Sequence, residues 1–288
     1  MFVHGNNLTE KENHKSKYQD AVSKSYLKEI REKYDNWKKA NLELIGPMLN
    51  TPNTDEIIRE RVRLFIGYKD FIDEQKYAET FDSRSNLHST VLEEFMYYLF
   101  KDIVCKLSDS ALIGKAPTIK DFFFLPSNFR AMLMKPHLKI EEKVHDFVIG
   151  VNICASFICE RQEEKEEQIF PVPAITIECK TYLDKTMLEG SSSSANQLKT
   201  INPNALYIVV AEWLKLTEAV NLNKYNVDQI YIIRKQKNTD REFRFLSTYE
   251  KNPICSNVVI HLFNFVKEHL TTDWEGSIQQ RLERGWLK

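Results

Sequence analysis

The sequence predicts an α/β fold with an amino-terminal helical subdomain, and three observations lead to this prediction. Apolar residues recur at spacings of three and four over residues 10–76, which is typical of amphipathic helices. Short apolar runs at residues 143–153, 174–182, 204–211 and 229–233 are typical of buried strands. Helical segments precede and separate these runs, so helices and strands alternate in the second part of the chain.

Two or three helices fit the amino-terminal region. The pair Gly46-Pro47 interrupts the helical spacing, and Thr54 or Asp55 is suited to cap the helix that follows. We therefore predict a helical subdomain over residues 1–85 and a core with a carboxyl-terminal extension over residues 86–288.

The next helix carries two adjacent acids. Ser89 or Thr90 is suited to cap it. Counting by three and four places Glu93 in line with apolar positions that continue to Phe100, whereas Glu94 lines up with a row that ends in a lysine. Glu93 is therefore predicted to be the more inward of the two.

The run over residues 174–182 reads Ala-Ile-Thr-Ile-Glu-Cys-Lys-Thr-Tyr and is predicted to be a buried strand. Side chains alternate along a strand, so Glu178, Lys180 and Tyr182 share one face. A carboxylate and an ammonium therefore lie next to each other on a segment that is otherwise mostly apolar.

The earlier run over residues 143–153 contains one isolated acid, Asp146. Burying a lone carboxylate is costly unless a partner or a metal ion compensates it. The acidic tract over residues 160–167 separates this run from the Glu178 strand and fits a solvated turn. The two strands are therefore predicted to form a long hairpin in which the three polar residues could hold a divalent metal.

The remaining segments are less regular. Residues 114–137 contain three prolines and an aromatic run, which indicates a short strand between irregular segments. The serines at 191–194 are predicted to stand at the start of a helix, and a helical tail is predicted over residues 274–286.

Composition excludes some classes of protein. The 40 basic and 41 acidic residues give a net charge of -1, so any nucleic-acid surface must be local. No apolar run approaches the roughly 20 residues that cross a bilayer, and the first residues do not resemble a signal peptide. The five cysteines lack the spacing of a zinc site and are interpreted as reduced thiols. We expect a soluble, unexported protein.

Each candidate residue also has a structural interpretation. Glu178 and Lys180 could form an exposed ion pair worth under about 1 kcal/mol. Glu93 could be a charge favoured by the helix dipole. His145 is expected to be a packing residue rather than a ligand, because its strand neighbours are apolar.

Asp146 on one strand, Glu178-Cys179-Lys180 on the next and Glu93 on the preceding helix resemble the PD-(D/E)xK nuclease core. His145 stands where the family name has proline. The stretch over residues 175–190 and the serine run after it are similar to type II restriction endonucleases of the BbvCI kind. This resemblance spans residues 89–211 and implies a restriction-endonuclease-like core, in which helices flank a central mixed sheet.

The resemblance implies a Mg²⁺-dependent endonuclease in which Asp146, Glu178 and the Cys179 carbonyl bind the metal. Lys180 would orient the attacking water, and Glu93 would assist. The substrate would be double-stranded DNA with a short, asymmetric site of the CCTNAGC type. Each subunit would cut one strand, in a heterodimer with a related subunit or in a homodimer, in the bacterial cytoplasm.

DNA contacts are predicted near the strand and in the helical subdomain. Tyr182 on the strand is one candidate. Ser192, Asn196 and Gln197 are further candidates, because backbone amides and short polar side chains at a helix start can hold a phosphate. Lysines of residues 1–85 could contact phosphates or a partner.

Three alternatives stay open at this point. The chain could be a homodimeric restriction or repair nuclease with the same fold. It could instead be a DNA-binding or assembly subunit in which the acids are structural and another chain cuts. The near-neutral charge is also compatible with a scaffold unrelated to DNA.

Overall fold

The computed structural model describes residues 1–49, 52–81, 86–237, 246–274 and 278–285. The helices of this part of the chain are α1 (Val3–Glu12), α2 (Ala21–Glu43), α3 (Thr54–Ile72), α4 (Gln75–Thr80), α5 (Leu87–Leu107), α6 (Phe129–Met134), α7 (Lys185–Ile201), α8 (Ser256–Thr271) and α9 (Ile278–Arg284). The strands are β1 (Leu112–Phe124), β2 (Leu138–Ile158), β3 (Lys165–Leu183), β4 (Leu206–Leu214) and β5 (Gln229–Ile232). Of the tail predicted over residues 274–286, residues 275–277 and 286 lie outside the described ranges.

The strands form one sheet in the order β1-β2-β3-β4-β5. β1, β2 and β3 pair antiparallel, whereas β3, β4 and β5 pair parallel. Helix α7 makes the crossover between β3 and β4, as a parallel connection requires. The predicted α/β fold with a mixed central sheet is therefore confirmed.

Helix α5 lies at the centre of the main core, and most of its residues are buried. On one side it packs against α3, where the rings of Phe65 and Phe95 stack with centroids 4.4 Å apart. The ring centroid of Phe100 lies 5.8 Å from that of Phe147 on β2 and 5.8 Å from that of Phe263 on α8. The amino-terminal helices and the sheet therefore share one continuous apolar cluster. The predicted boundary at 85/86 borders residues 82–85, which are outside the described part of the chain.

A second apolar cluster lies on the opposite face of the sheet. Leu188, Ala195 and Leu198 of α7 pack there against β4, which contributes Tyr207 and Val209. The sheet is thus covered by α5 on one face and by α7 on the other, in the two-sided arrangement expected when parallel strands are buried.

Two helix starts differ from the predictions. Asn53 precedes the first residue of α3, so neither Thr54 nor Asp55 is the cap. Helix α5 begins at Leu87 after Asn86, ahead of Ser89 and Thr90. The side chain of Leu87 is fully buried, so packing rather than a capping side chain decides where this helix starts.

The predicted hairpin of β2 and β3 is present, with its turn at residues 159–164. The segment predicted as a short strand instead forms β1, which has 13 residues. Strand β2 is long enough to pair with β1 along its first part and with β3 along its second. The backbone N–H of Leu138, at the start of β2, donates a hydrogen bond to the Glu166 side chain. Glu166 is next to the residue that pairs with Ile158, at the end of β2. Strand β2 therefore curls, and its two ends lie close together.

A buried charge network joins the amino-terminal helices to the sheet. The Lys69 ammonium on α3 lies 2.5 Å from an Asp73 oxygen and 3.2 Å from an oxygen of Glu212 on β4. The Arg234 guanidinium, whose side chain is fully buried, lies 3.2 Å from the other Glu212 oxygen. Buried charges are tolerated when they are paired in this way.

Among the described residues, no helix combines the length and the apolar character that crossing a membrane requires.

Candidate active site

The site lies where an extra residue interrupts the pairing of β2 with β1. Gly114 pairs with Val148 and Ala116 with His145, so two steps along β1 correspond to three steps along β2. An extra residue of this kind forms a β-bulge, which bends the strand and redirects a side chain. The redirected residue is Asp146, and its carboxylate reaches back to the neighbouring strand.

The bulge also changes the face to which His145 belongs. Phe147 packs in the α5 cluster, whereas the His145 ring lies 5.9 Å from the Tyr207 ring on the α7 side. His145 is buried, as expected of a packing residue, and burial lowers its pKa to about 4. The ring is therefore neutral at pH 7. Simple alternation along β2 would place His145 on the same face as Phe147, but the bulge places the two side chains on opposite faces of the sheet.

Asp146 and the Glu178 strand are joined directly. One Asp146 oxygen, Oδ2, accepts a hydrogen bond of 2.9 Å from the backbone N–H of Cys179. The same oxygen lies 3.8 Å from the Lys180 ammonium. Lys180 donates a hydrogen bond of 2.6 Å to Glu178 Oε1, so a single ammonium stands between the two predicted metal-binding carboxylates.

A second lysine, Lys115 of β1, stands on the other side of Asp146. Its ammonium donates a hydrogen bond of 2.8 Å to Glu93 Oε2 and lies 3.9 Å from Asp146 Oδ1. Glu93 is 5% exposed and reaches the site from helix α5. Three acids and two lysines therefore alternate in space, from Glu178 through Asp146 to Glu93.

The prediction that Glu93 is the more inward acid is wrong, because Glu94 is completely buried. Glu94 accepts hydrogen bonds from the backbone N–H groups of His4 and Gly5 and from the hydroxyls of Tyr34 and Tyr98. The reason is that α1 covers the Glu94 side of α5, a contact between segments about 90 residues apart. Glu94 thus anchors the amino terminus, and Glu93 faces the carboxylates of the sheet.

Tyr207 on β4 fixes the orientation of the Glu178 carboxylate through a hydrogen bond. Its hydroxyl donates a hydrogen bond of 3.1 Å to Glu178 Oε2, while Lys180 occupies the other carboxylate oxygen. The Tyr207 side chain is fully buried, and burial raises the pKa of its phenol, so the hydroxyl is a permanent donor. Sequence reasoning missed this residue. The available signal was a tyrosine within an apolar strand, because a buried phenol usually needs a hydrogen-bond partner.

The pKa values of Glu93, Asp146 and Glu178 are shifted in different directions. Burial raises the pKa of Glu93 to about 7, and the charge of Asp146 adds to this effect. Burial likewise raises the pKa of Asp146, assisted by the charge of Glu178. Burial acts on Glu178 in the same direction, but Lys180 and Tyr207 outweigh it and hold the pKa below its ordinary value. Asp146 and Glu93 therefore sit in surroundings that favour an additional positive charge.

The lysines stay protonated. Burial opposes the charge of Lys180, yet the Glu178 and Asp146 carboxylates raise its pKa above the usual range. Lys115 behaves in the same way, with Glu93 as its main partner. Both ammonium groups can therefore donate hydrogen bonds at neutral pH, but neither is a proton acceptor there.

The donor set fits Mg²⁺ chemically. Within the described ranges, no group of three or more His, Cys, Asp or Glu side chains could hold a metal ion by itself. Asp146 and Glu178 instead provide two carboxylates, and Mg²⁺ is commonly bound by one or two carboxylates while it keeps several waters. The Cys179 side chain is buried in the α5 cluster, so only the backbone of this residue is placed to contribute a ligand.

The prediction that the serines at 191–194 stand at the start of a helix is wrong. Helix α7 begins at Lys185, and the Asp184 side chain caps it by accepting from the N–H of Met187. The serines at 191–194 consequently lie inside the helix, where their backbone N–H groups belong to the helical ladder. A small side chain such as Ser194 suits this position because it is buried against the sheet face.

The predicted DNA contacts are not brought together. The Ser192 hydroxyl accepts from the backbone N–H of Asn226, and Asn196 accepts from the Asn226 side chain, so both face the β4–β5 connection. Gln197 is half-buried beside the small pocket that His145 lines. Tyr182 is half-buried further along β3, with the ammonium of Lys215 5.8 Å from its ring.

A mixed sheet joins Asp146 on one strand to the Glu178-Cys179-Lys180 triplet on the next, which is the arrangement that the resemblance to restriction endonucleases leads us to expect. The sequence profile of the Bpu10I restriction endonuclease family matches residues 84–287, which is more than half of the chain. The chain therefore belongs to the Bpu10I restriction endonuclease family, and it is a DNA endonuclease. The resemblance predicted from residues 89–211 is confirmed.

Comparison with solved structures gives the same fold. A chain of the native BbvCI A2B2 tetramer, determined at low resolution, superposes with a TM-score of 0.66 and 19% sequence identity. The match covers 94% of this chain and 98% of that chain, so it includes the amino-terminal helices. No curated protein matches the sequence.

Proposed function

We propose that the chain is the catalytic subunit of a type II restriction endonuclease that hydrolyses double-stranded DNA at a short, asymmetric site and requires Mg²⁺. The observation that carries the proposal is the position of Asp146, whose two oxygens lie near the two lysines and whose strand neighbour is the Glu178 triplet. An exposed ion pair on a strand surface would not need the bulge that places Asp146 there.

Asp146, Glu178 and the Cys179 backbone carbonyl would hold the metal. When bound, a divalent ion lowers the pKa of water and offsets negative charge on the phosphate. The side chains of Asp146 and Glu178 are only about one fifth exposed, which keeps the local dielectric low and strengthens every charge interaction in the site.

The remaining residues orient groups around these ligands. Lys180 holds a proton firmly and donates, which suits it to orient the attacking water or a phosphate oxygen rather than to remove a proton. Tyr207 holds the Glu178 carboxylate in one orientation. Lys115 is 37% exposed and contacts Glu93, so its ammonium can offset charge on a phosphate at the open side of the site.

We propose that a second nuclease chain of the same fold completes the enzyme, with one strand cut by each chain. The A2B2 composition of the structurally similar BbvCI supports this arrangement. We place the enzyme in the bacterial cytoplasm, where its DNA substrate would be. Residues 1–85 and the α7 region are proposed to contact DNA or the partner, although Ser192 and Asn196 would first have to release Asn226.

The first experiment is incubation of the purified chain with plasmid DNA and MgCl₂, scored for nicked, linear and intact molecules. We expect Asp146→Asn to lose cleavage and to keep DNA binding, which is measured by mobility shift in Ca²⁺. The matched control is Asp121→Asn on β1, an exposed aspartate whose side chain accepts a hydrogen bond from the backbone N–H of Phe122. Cleavage by Asp146→Asn at the wild-type rate would contradict the nuclease assignment and favour the assembly subunit.

The strand-by-strand mechanism is tested separately. Lys180→Ala, combined with an intact partner subunit, is expected to leave an enzyme that nicks one strand. Double-strand cleavage by that complex at the wild-type rate would refute the one-strand assignment. Linear product from the chain alone would favour the homodimeric alternative.

A further inference from the structure

An exposed apolar surface lies at the tip formed by β1 and α6, away from the acids. Within 13 consecutive residues, 122–134, only Arg130 is charged. Eight large apolar side chains in this stretch are between 45% and 74% exposed. Side chains alternate along β1, so Phe123 faces away from Phe122 and Phe124. The tip surface comprises the other seven, which are Phe122, Phe124, Leu125, Phe129, Met132, Leu133 and Met134. Concentrated exposure of this kind marks an interaction site.

The tip is held in place by hydrogen bonds. Asn128 caps α6 by accepting from the N–H of Ala131, and the N–H of Leu125 donates to the His137 carbonyl across the base of the loop. Lys135 forms an ion pair of 2.9 Å with Glu164, which belongs to the β2–β3 turn. Contacts at the base of the loop and at the β2–β3 turn therefore hold α6 in place, so its apolar side chains have fixed positions.

An apolar groove lies next to the tip. It has a volume of about 380 Å³ and lies where β2 curls, between Ile153 and Phe157 of β2, Phe170 of β3 and Phe122 of β1. Phe122 belongs both to the groove and to the tip surface, and Phe129 is the most exposed aromatic side chain of the tip, at 74%. The same lobe thus presents both an aromatic side chain that projects and an apolar groove that can receive one.

The size of the tip surface matches a stable interface. Full burial of an aromatic side chain removes about 150–250 Å² from water, so seven large side chains at about half exposure offer roughly 600 Å². A standard protein interface buries about 800 Å² on each partner. The near absence of charge disfavours DNA as the occupant, because DNA contact depends on basic residues, whereas interface cores are depleted of charge.

We propose that the tip surface binds the tip surface of a second copy of this chain, with Phe129 of each copy in the groove of the other. A two-fold axis allows this exchange, because each copy contributes the same projecting residue and the same groove. An aromatic anchor in an apolar pocket is the arrangement that carries most of the energy in protein interfaces. The contact is independent of the acids and lysines of the active site.

Sedimentation velocity of the purified full chain tests the proposal. We expect the wild-type chain to be dimeric at micromolar concentrations, because interfaces of standard size have dissociation constants in the micromolar range or below. Phe129→Glu and Leu133→Glu should each weaken the dimer at least about thirtyfold, the effect of losing one interface hot spot. Both side chains are exposed, so neither change should affect folding. Leu222→Glu is the matched control, since Leu222 is 51% exposed, lies outside the tip and should leave the mass unchanged.

A wild-type chain that stays monomeric at about 100 μM, or a dimer that survives both tip substitutions, overturns the proposal. A dimer that is lost equally with Leu222→Glu overturns it as well. Mg²⁺-dependent cleavage is scored on the same preparations. The Asp146→Asn experiment can fail while the tip dimer forms, and the dimer can fail while cleavage persists, so the two proposals are judged separately.

Discussion

Glu93 offers a quantitative test of the charge balance in the site, through the substitution Glu93→Gln. This change removes a negative charge while preserving the shape of a side chain that is only 5% exposed. In the native protein, burial and the charge of Asp146 raise the pKa of Glu93 from 4.5 to about 7, even though Lys115 opposes the shift. The ionised carboxyl therefore lowers the stability of the folded state.

The sign and size follow from proton linkage. Between pH 4.5 and 7 the folded protein holds the Glu93 proton more tightly than the unfolded chain does, so stability falls as pH rises through this window. One pKa unit corresponds to 1.36 kcal/mol, and the full shift corresponds to about 3 kcal/mol. The shift already includes the ion pair with Lys115. Glu93→Gln is therefore expected to be about 2–3 kcal/mol more stable than wild type at pH 8 and equally stable near pH 4.

The assay is urea unfolding across pH 4 to 8 in the presence of a chelator, followed by tryptophan fluorescence. The control is Glu142→Gln, which removes one carboxylate from an exposed position on β2. If the free energy of unfolding of Glu93→Gln changed with pH in the same way as that of wild type over the whole range, the reasoning would be refuted. A variant less stable than wild type at pH 8 would show that the Lys115 ion pair outweighs the burial of the charge.

Two further substitutions test single contacts. Tyr207→Phe should raise the Mg²⁺ concentration needed for half-maximal cleavage about tenfold, because a hydrogen bond to a charged group contributes about 1.5–3 kcal/mol. Its control is Tyr231→Phe, which removes a hydroxyl paired with His261 outside the site; equal shifts in both variants would contradict a positioning role for Tyr207. Arg234→Met should destabilise the fold by about 3–5 kcal/mol in thermal unfolding, since it leaves Glu212 with less compensation; an unchanged Tm would contradict this.

The sequence alone determined which strand carries the candidate chemistry. Glu178 and Lys180 share a face because side chains alternate along any strand, and this property depends only on local backbone geometry. Asp146 stood out because an isolated acid in an apolar run needs compensation wherever that run is buried. The order of helices and strands was predictable for the same reason, since apolar periodicity follows the repeat of each element.

The tertiary structure alone decided which other residues meet these three. Tyr207 reaches Glu178 from 29 residues away, and Lys115 reaches Glu93 across 22 residues, so neither contact leaves a local signature. The choice between Glu93 and Glu94 depends on α1, which covers one side of α5, and the direction of Asp146 depends on a bulge against β1. Local patterns specify faces of single elements, whereas a site is assembled by packing between elements that are distant in the chain.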